Sequence, residues 1–169
     1  MPIIDALTPE FEHEMANTRR VLERVPDDRL EWRPHPKSWT MGALATHVAT
    51  IPSWTVETIN RTELDVAPAG KPPERPAEAK SRQELVDRFE GHLAAARQAL
   101  AGVSDAQLMQ NWSLLAGGKT MFSLPRVAVL RSFVVSHIIH HRAQLGVYLR
   151  MNDVPVPAIY GPSADESPF

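Results

Sequence analysis

The run from Leu124 to Met151 leaves the chain few folds to choose from. It is apolar over most of its length, yet Arg126, Arg131, Arg142 and Arg150 interrupt it, too many charges for a membrane span. The pattern predicts one long helix over 124–151. Projected at about 100° per residue, Val127, Leu130, Val134, His137, His141, Leu145 and Tyr148 share one stripe. The far side is apolar too, with Val135, Ile138, Ile139 and Leu149. A helix that is hydrophobic nearly all round is buried from more than one direction. One face must pack in the chain's own bundle, and the other is expected to meet a partner subunit or the C-terminal tail. Arg131, Arg142 and Arg150 would ion-pair at such an interface or lie in solvent.

The same helix gathers His137, His140 and His141, three of the seven histidines. His137 and His141 are four apart, a rise of about 6 Å and a rotation of roughly 40°, so both imidazoles leave one face. That spacing lets two histidines grip one metal ion. The competing reading is a pair of hydrogen-bonded core histidines, or one turned inward and one outward. His140 points about 60° to one side of His137 and roughly 100° from His141, which makes it a supporting or structural residue.

Three further helices are expected, at about 8–25, 40–59 and 81–101. The first has Thr8 as its cap, Pro9 at the first helical position, and Phe11, Met15, Thr18 and Leu22 inward. His13 falls off that stripe and should lie on the surface. Between Pro26 and Trp39 a proline-rich linker should tuck Leu30 and Trp32 over the bundle and leave His35 exposed on a loop. In the second helix Leu44, His47, Val48, Ile51, Trp54 and Thr55 face inward, and Pro52 should kink it one turn after His47. A third inward histidine from another helix raises the metal reading above its competitor. Three imidazoles with open positions is the ligand count of a catalytic rather than a closed structural site. The stretch 61–80, with Pro68, Gly70, Pro72, Pro73 and Pro76, reads as loop. The third helix opens on a capping box, Ser81 to Glu84, and buries Leu85, Phe89, Leu93, Ala96 and Leu100, with His92 at the stripe's edge. After a turn of helix capped by Ser104, two apolar pieces around Gly117-Gly118 suggest a small hairpin or an ordered loop. Ser123 is the expected cap of the fourth helix, with Pro125 in its first turn. The proline-rich tail, 152–169, should lie over the surface.

With 169 residues the simplest organisation is one domain, 1–169. There are no cysteines, so a metal would have only nitrogen and oxygen ligands. The net charge is −2 with no basic patch or tail, which argues against nucleic acid. Met1-Pro2-Ile3-Ile4-Asp5 lacks the features of a signal peptide, and no stretch suits a membrane, so a soluble, cytoplasmic protein is expected. No phosphate loop, zinc-finger spacing or serine-nucleophile elbow occurs.

Three segments together resemble the DinB-like superfamily. They are Trp32-Arg33-Pro34-His35-Pro36-Lys37-Ser38-Trp39 leading into Met41 to His47, then His137 to Arg150, then Val154-Pro155-Val156-Pro157 with Ile159 to Glu166. They span the chain in the expected order; Ala143 departs from the glycine of many relatives. The resemblance implies an all-α fold, a four-helix bundle with long crossover connections, for which 61–80 is long enough. It implies a divalent metal on His47, His137 and His141, the same three that the projection selects; three imidazoles suit zinc, nickel, iron or copper. It also implies homodimers, through helix 124–151, and an S-transferase or isomerase acting on a small-molecule substrate with a low-molecular-weight thiol such as bacillithiol, mycothiol or glutathione. A hydrolase using metal-bound hydroxide is a second expectation, disfavoured because neither the helix 40–59 nor the helix 124–151 stripe carries Asp or Glu. A non-enzymatic metal-binding stress protein is a third.

Overall fold

The computed structural model describes residues 1–70 and 76–167, so Pro72, Pro73 and the end of the tail lie outside the described residues. Helix α1 is Ile3–Leu22 and starts ahead of Thr8. Its cap comes from far away in sequence: the Ile3 N–H donates to Asp105 Oδ1 at 2.8 Å. Pro9 is therefore carried inside the helix, which forgoes one intrahelical bond there. The expected stripe holds, since Phe11, Met15, Thr18 and Leu22 are all buried.

A 3-10 turn at Asp27–Arg29 opens the linker. The linker then folds onto the start of α2, Met41–Thr50, where Met41 N–H donates to the Trp32 carbonyl and Gly42 N–H to that of Leu30, both at 2.8 Å. Glycine suits position 42, because a Cβ would meet the Leu30 carbonyl oxygen at a tight 3.2 Å. Thr40 caps α2, its hydroxyl accepting from Ala43 N–H at 3.1 Å. Pro52 does more than kink the second helix. It divides it into α2 and α3, Ser53–Asn60, because proline lacks the N–H that an unbroken ladder needs at that position.

The stretch 61–80 is not all loop, and the fold is not purely α. Strand β1, Glu63–Asp65, pairs in parallel with β2, Asn111–Ala116, which pairs antiparallel with β3, Lys119–Pro125. The hairpin turns on Gly117 and Gly118, both at positive φ (62° and 76°), as a tight two-residue connection requires. Asp65 locks it: its carboxylate accepts from Gly117 N–H at 3.0 Å and Gly118 N–H at 2.7 Å. Ser123 sits within β3, its hydroxyl bonded to that of Ser113, so it caps no helix.

Helix α4, Arg82–Leu100, buries the expected Leu85, Phe89, Leu93, Ala96 and Leu100. Ser81 accepts from Glu84 N–H as a cap, but Glu84 reaches back to Lys80 N–H rather than to Ser81. The short α5, Asp105–Leu108, carries a full capping box between Ser104 and Gln107. The fourth rod comprises α6, Arg126–Val129, a π-helical segment Leu130–Ser136, and α7, His137–Met151.

Helix α1 packs on α4 and α7, and α2 packs on the same two. Among the described residues the long helices thus run α1–α4–α2–α7 around a bundle, with the consecutive α1 and α2 mainly across from each other. The connections at 23–40 and 101–125 make these diagonal passages. The carbonyls at the end of α3 are satisfied by the fourth rod and the sheet: buried Arg126 donates to the Thr58 and Arg61 carbonyls at 2.9 and 3.1 Å, and Trp112 Nε1 to that of Glu57 at 3.2 Å.

The π segment rotates the face that α7 turns to the core. Its buried residues are Ile138, Arg142, Leu145 and Leu149, so Ile138 and Leu149, expected on the far side, belong to the core stripe. Arg142 corrects the expectation most strongly. It pairs with Glu14 of α1 at 2.7 Å, with both side chains at least 94% buried. Arg142 also donates to the Glu14 carbonyl at 3.0 Å and to the Tyr160 oxygen at 3.1 Å. Tyr160 in turn donates to Glu14 Oε1 at 2.7 Å. Arg131 and Arg150 likewise pair within the chain, with Glu10 and Asp165. The tail lies across α1 and α7, where Val154, Val156 and Ile159 pack on the core and Glu166 bridges Arg20 and Arg24 at 2.6 Å each. Among the described residues no helix is long and apolar enough to cross a membrane.

Candidate metal centre

The fold brings His47, His137 and His141 together. One ligand atom from each lies within 4.8 Å of the others, and among the described residues no carboxylate joins this cluster. His47 arrives from α2, one turn before the break at Pro52. His137 and His141 arrive from the first two turns of α7, just after the π segment. All three are half-buried. The ring centroids are 5.0 Å apart for His47 and His137, 4.6 Å for His47 and His141, and 4.7 Å for His137 and His141.

The outer nitrogens decide which way each ring presents its lone pair. His137 Nδ1 lies 3.3 Å from the Phe133 carbonyl oxygen, inside the π segment. A carbonyl only accepts, so Nδ1 carries the proton and Nε2 is bare. A π turn displaces carbonyls from the regular ladder, and Phe133 uses its carbonyl to orient a histidine. His141 Nδ1 lies 2.7 Å from Gln144 Oε1, which fixes its tautomer in the same sense. The two Nε2 atoms of His47 and His137 stand 3.2 Å apart. Two nitrogens on one tetrahedral zinc-like ion, each at about 2.0–2.1 Å, would be about 3.3 Å apart. The His47–His137 pair therefore has the spacing of two ligands on one first-row divalent ion, and His141 offers a third nitrogen within 4.8 Å.

Burial is the main reason that all three imidazoles resist protonation. For His47, burial and then the charges of His141 and His137 push the pKa from 6.5 down to about 4. Burial lowers His137 and His141 as well, against the pull of the Phe133 carbonyl and of Gln144. Neutral imidazole is the form that ligates. A consequence for stability follows from linkage. The unfolded chain takes up protons at these positions near pH 6.5 while the folded chain does not, so acid favours unfolding. The metal-free protein should keep its full stability above pH 6.5 and lose part of it as the pH falls towards 4. Its urea midpoint should drop between about pH 7.5 and 5, and His47→Asn should flatten that slope. A midpoint independent of pH in this window would contradict the arrangement.

Aromatic rings wall the cluster. Trp39 stacks on His141 (5.7 Å, 12° between planes) and meets His47 edge-on at 5.2 Å. Trp54 and Phe133 stack on each other at 4.7 Å and both touch the His137 ring. The other histidines stay outside. His140 is exposed with only its ring edge against His141, at 4.8 Å. His13 is exposed and accepts from Asn17, His35 is exposed on its loop, and His92 is half-buried on α4. Sequence reasoning overlooked the part played by Trp39, Phe133 and Gln144. Gln144, three residues after His141, and Phe133, four before His137, left a local signal as neighbouring positions of the same rod; Trp39 left none.

The family model described as the DinB superfamily matches residues 10–145, a span that takes in all three histidines. This chain belongs to the DinB superfamily. A relative of this DinB chain, the uncharacterized protein YrdA of Bacillus subtilis (strain 168), is 28% identical over 163 residues, covering 96% of this chain and 91% of its own. The fold is shared with a DinB-like protein from Bacillus cereus ATCC 10987, with a TM-score of 0.72 at 21% identity, over 92% of this chain and 97% of that one. It is shared also with the DinB-like protein YjoA from Bacillus subtilis, with a TM-score of 0.66 at 19% identity, over 88% and 94%.

Proposed function

We propose that His47, His137 and His141 hold one divalent first-row ion, and that the protein is a metal-dependent S-transferase for a low-molecular-weight thiol. The observation that carries this reading is a cluster of three neutral imidazoles with no carboxylate among them, which leaves coordination positions for a small molecule. A bound dication supplies Lewis acidity, which lowers the pKa of a coordinated thiol towards neutral. Phe133 and Gln144 keep the histidine lone pairs directed inward, and the aromatic walls keep bulk water from the sides. Nitrogen ligands of this kind suit zinc, nickel or iron, and availability decides among them. Among the described residues no carboxylate joins the three imidazoles, which favours thiol transfer over hydrolysis by metal-bound hydroxide, a reaction that would call for such a base.

The same reading takes the protein to be a cytoplasmic homodimer joined through α7, where Val147 and Met151 are 58% and 55% exposed. Sedimentation at micromolar concentration tests the dimer, and a monomer there would refute it. For the activity, metal-loaded protein should conjugate a low-molecular-weight thiol to a model electrophile and lose that rate on chelation. Metal-dependent turnover of an ester with no thiol conjugation would establish the hydrolase instead. Stoichiometric metal without turnover of either would leave a non-enzymatic metal-binding protein.

A further inference from the structure

Trp39 is placed with more care than a linker residue needs. Its indole is 45% exposed, an unfavourable position for so large an apolar ring. Yet its backbone is fixed from both sides. The Trp39 carbonyl accepts from the Tyr148 hydroxyl of α7 at 3.3 Å, and the next residue, Thr40, is the cap of α2. Tyr148 also meets Trp32 edge-on at 5.4 Å, so one α7 side chain pins both ends of the 32–39 segment. The indole that results is parallel to His141 and perpendicular to His47, spanning the edge between two of the three imidazoles. A ring held at a site by its inner contacts, with much of its surface open, offers that surface to whatever else binds there. Among the described residues, the other rings that contact the three histidines are Trp39, Trp54, Phe133 and His140, three of them purely aromatic.

We infer that Trp39 is a specificity-determining wall of the three-histidine site, selecting molecules whose metal-binding head is joined to an apolar or aromatic body. The inference rests on the metal reading above and adds the class of molecule that the site accepts. The indole contributes contact area beside the ligating head, and an aromatic body gains a stacking or edge contact that a short polar one does not make.

The probes are two thiols of similar acidity, benzyl mercaptan and 2-mercaptoethanol, titrated into protein loaded with Co2+ and followed by the sulfur-to-cobalt charge-transfer band. Benzyl mercaptan should bind the unaltered protein more tightly. Trp39→Ala should weaken benzyl mercaptan about fivefold and leave 2-mercaptoethanol within about twofold, while Trp39→Phe keeps most of the preference. Equal weakening of both thiols, or of neither, would overturn the assignment of Trp39 while the metal reading stands. Failure of the unaltered protein to take up Co2+ would overturn the metal reading, and the inference with it; Co2+ content, measured first, separates the two failures.

Discussion

Replacing Arg142 by alanine should lower the stability of this protein by about 3–5 kcal/mol, because it strands the buried Glu14 carboxylate. The Glu14–Arg142 pair has side-chain exposures of 6% and 4%, with no solvent to take over when one partner is lost. Glu14 Oε2 makes an ion pair rather than an aligned hydrogen bond with the guanidinium, so charge is what satisfies it. A small domain commonly has about 5–15 kcal/mol in total, so such a loss is a large fraction of it. It corresponds to a fall in Tm of about 6–20 °C for a chain of this size. Glu14→Ala should behave alike, leaving a buried cation. The double variant Glu14→Leu with Arg142→Met should be less damaged than either single one, since no unpaired charge remains. Strictly additive losses would contradict this account. The network also seats the tail through the Tyr160 hydroxyl, so Arg142→Ala should make the end of the chain easier to proteolyse.

The second large effect concerns the metal. On the proposed reading, His47→Ala or His141→Ala would remove one of three ligands, whereas losing a partner that merely orients a ligand costs about 10–100-fold in affinity. Losing the ligand itself should exceed that, so either variant purified without a histidine tag should carry no stoichiometric ion. Gln144→Ala, which releases the His141 Nδ1–H, should weaken binding about tenfold, the low end of that range because Gln144 is exposed. His13→Ala and His140→Ala should keep their metal. Retention of a full complement by His47→Ala would show that the ion sits elsewhere.

The pairing of these histidines was legible because its signal is local in each helix. His137 and His141 are one turn apart, and His47 lies on the apolar side of α2, so helical periodicity alone brings them to inward faces. The π segment left no such trace. Its buried Leu130, Val134 and Val135 keep an ordinary helical spacing, so a projection at a constant angle carries no sign of the π turn, and it misplaces Ile138, Arg142 and Leu149 behind it. Arg142 looks like a surface charge until Glu14 faces it across the bundle, a contact between residues 128 apart. Strand β1 is three residues long, and its pairing with β2 joins segments separated by the whole of α4. Ile3 likewise begins a helix only because Asp105 is folded against it. Arg142, β1 and the start of α1 escaped sequence reasoning because a long-range partner fixes each of them, whereas the histidines it found are fixed by spacing along one helix.

The most direct test of the central claim is a crystal structure of tag-free protein soaked with zinc or nickel, with data collected at the metal's absorption edge. The account predicts one anomalous peak per chain at about 2.0–2.1 Å from a ring nitrogen of each of His47, His137 and His141. It also predicts that the His137 ring still donates to the Phe133 carbonyl and the His141 ring to Gln144. A peak bound by other side chains, or none at the three histidines under saturating metal, would contradict it.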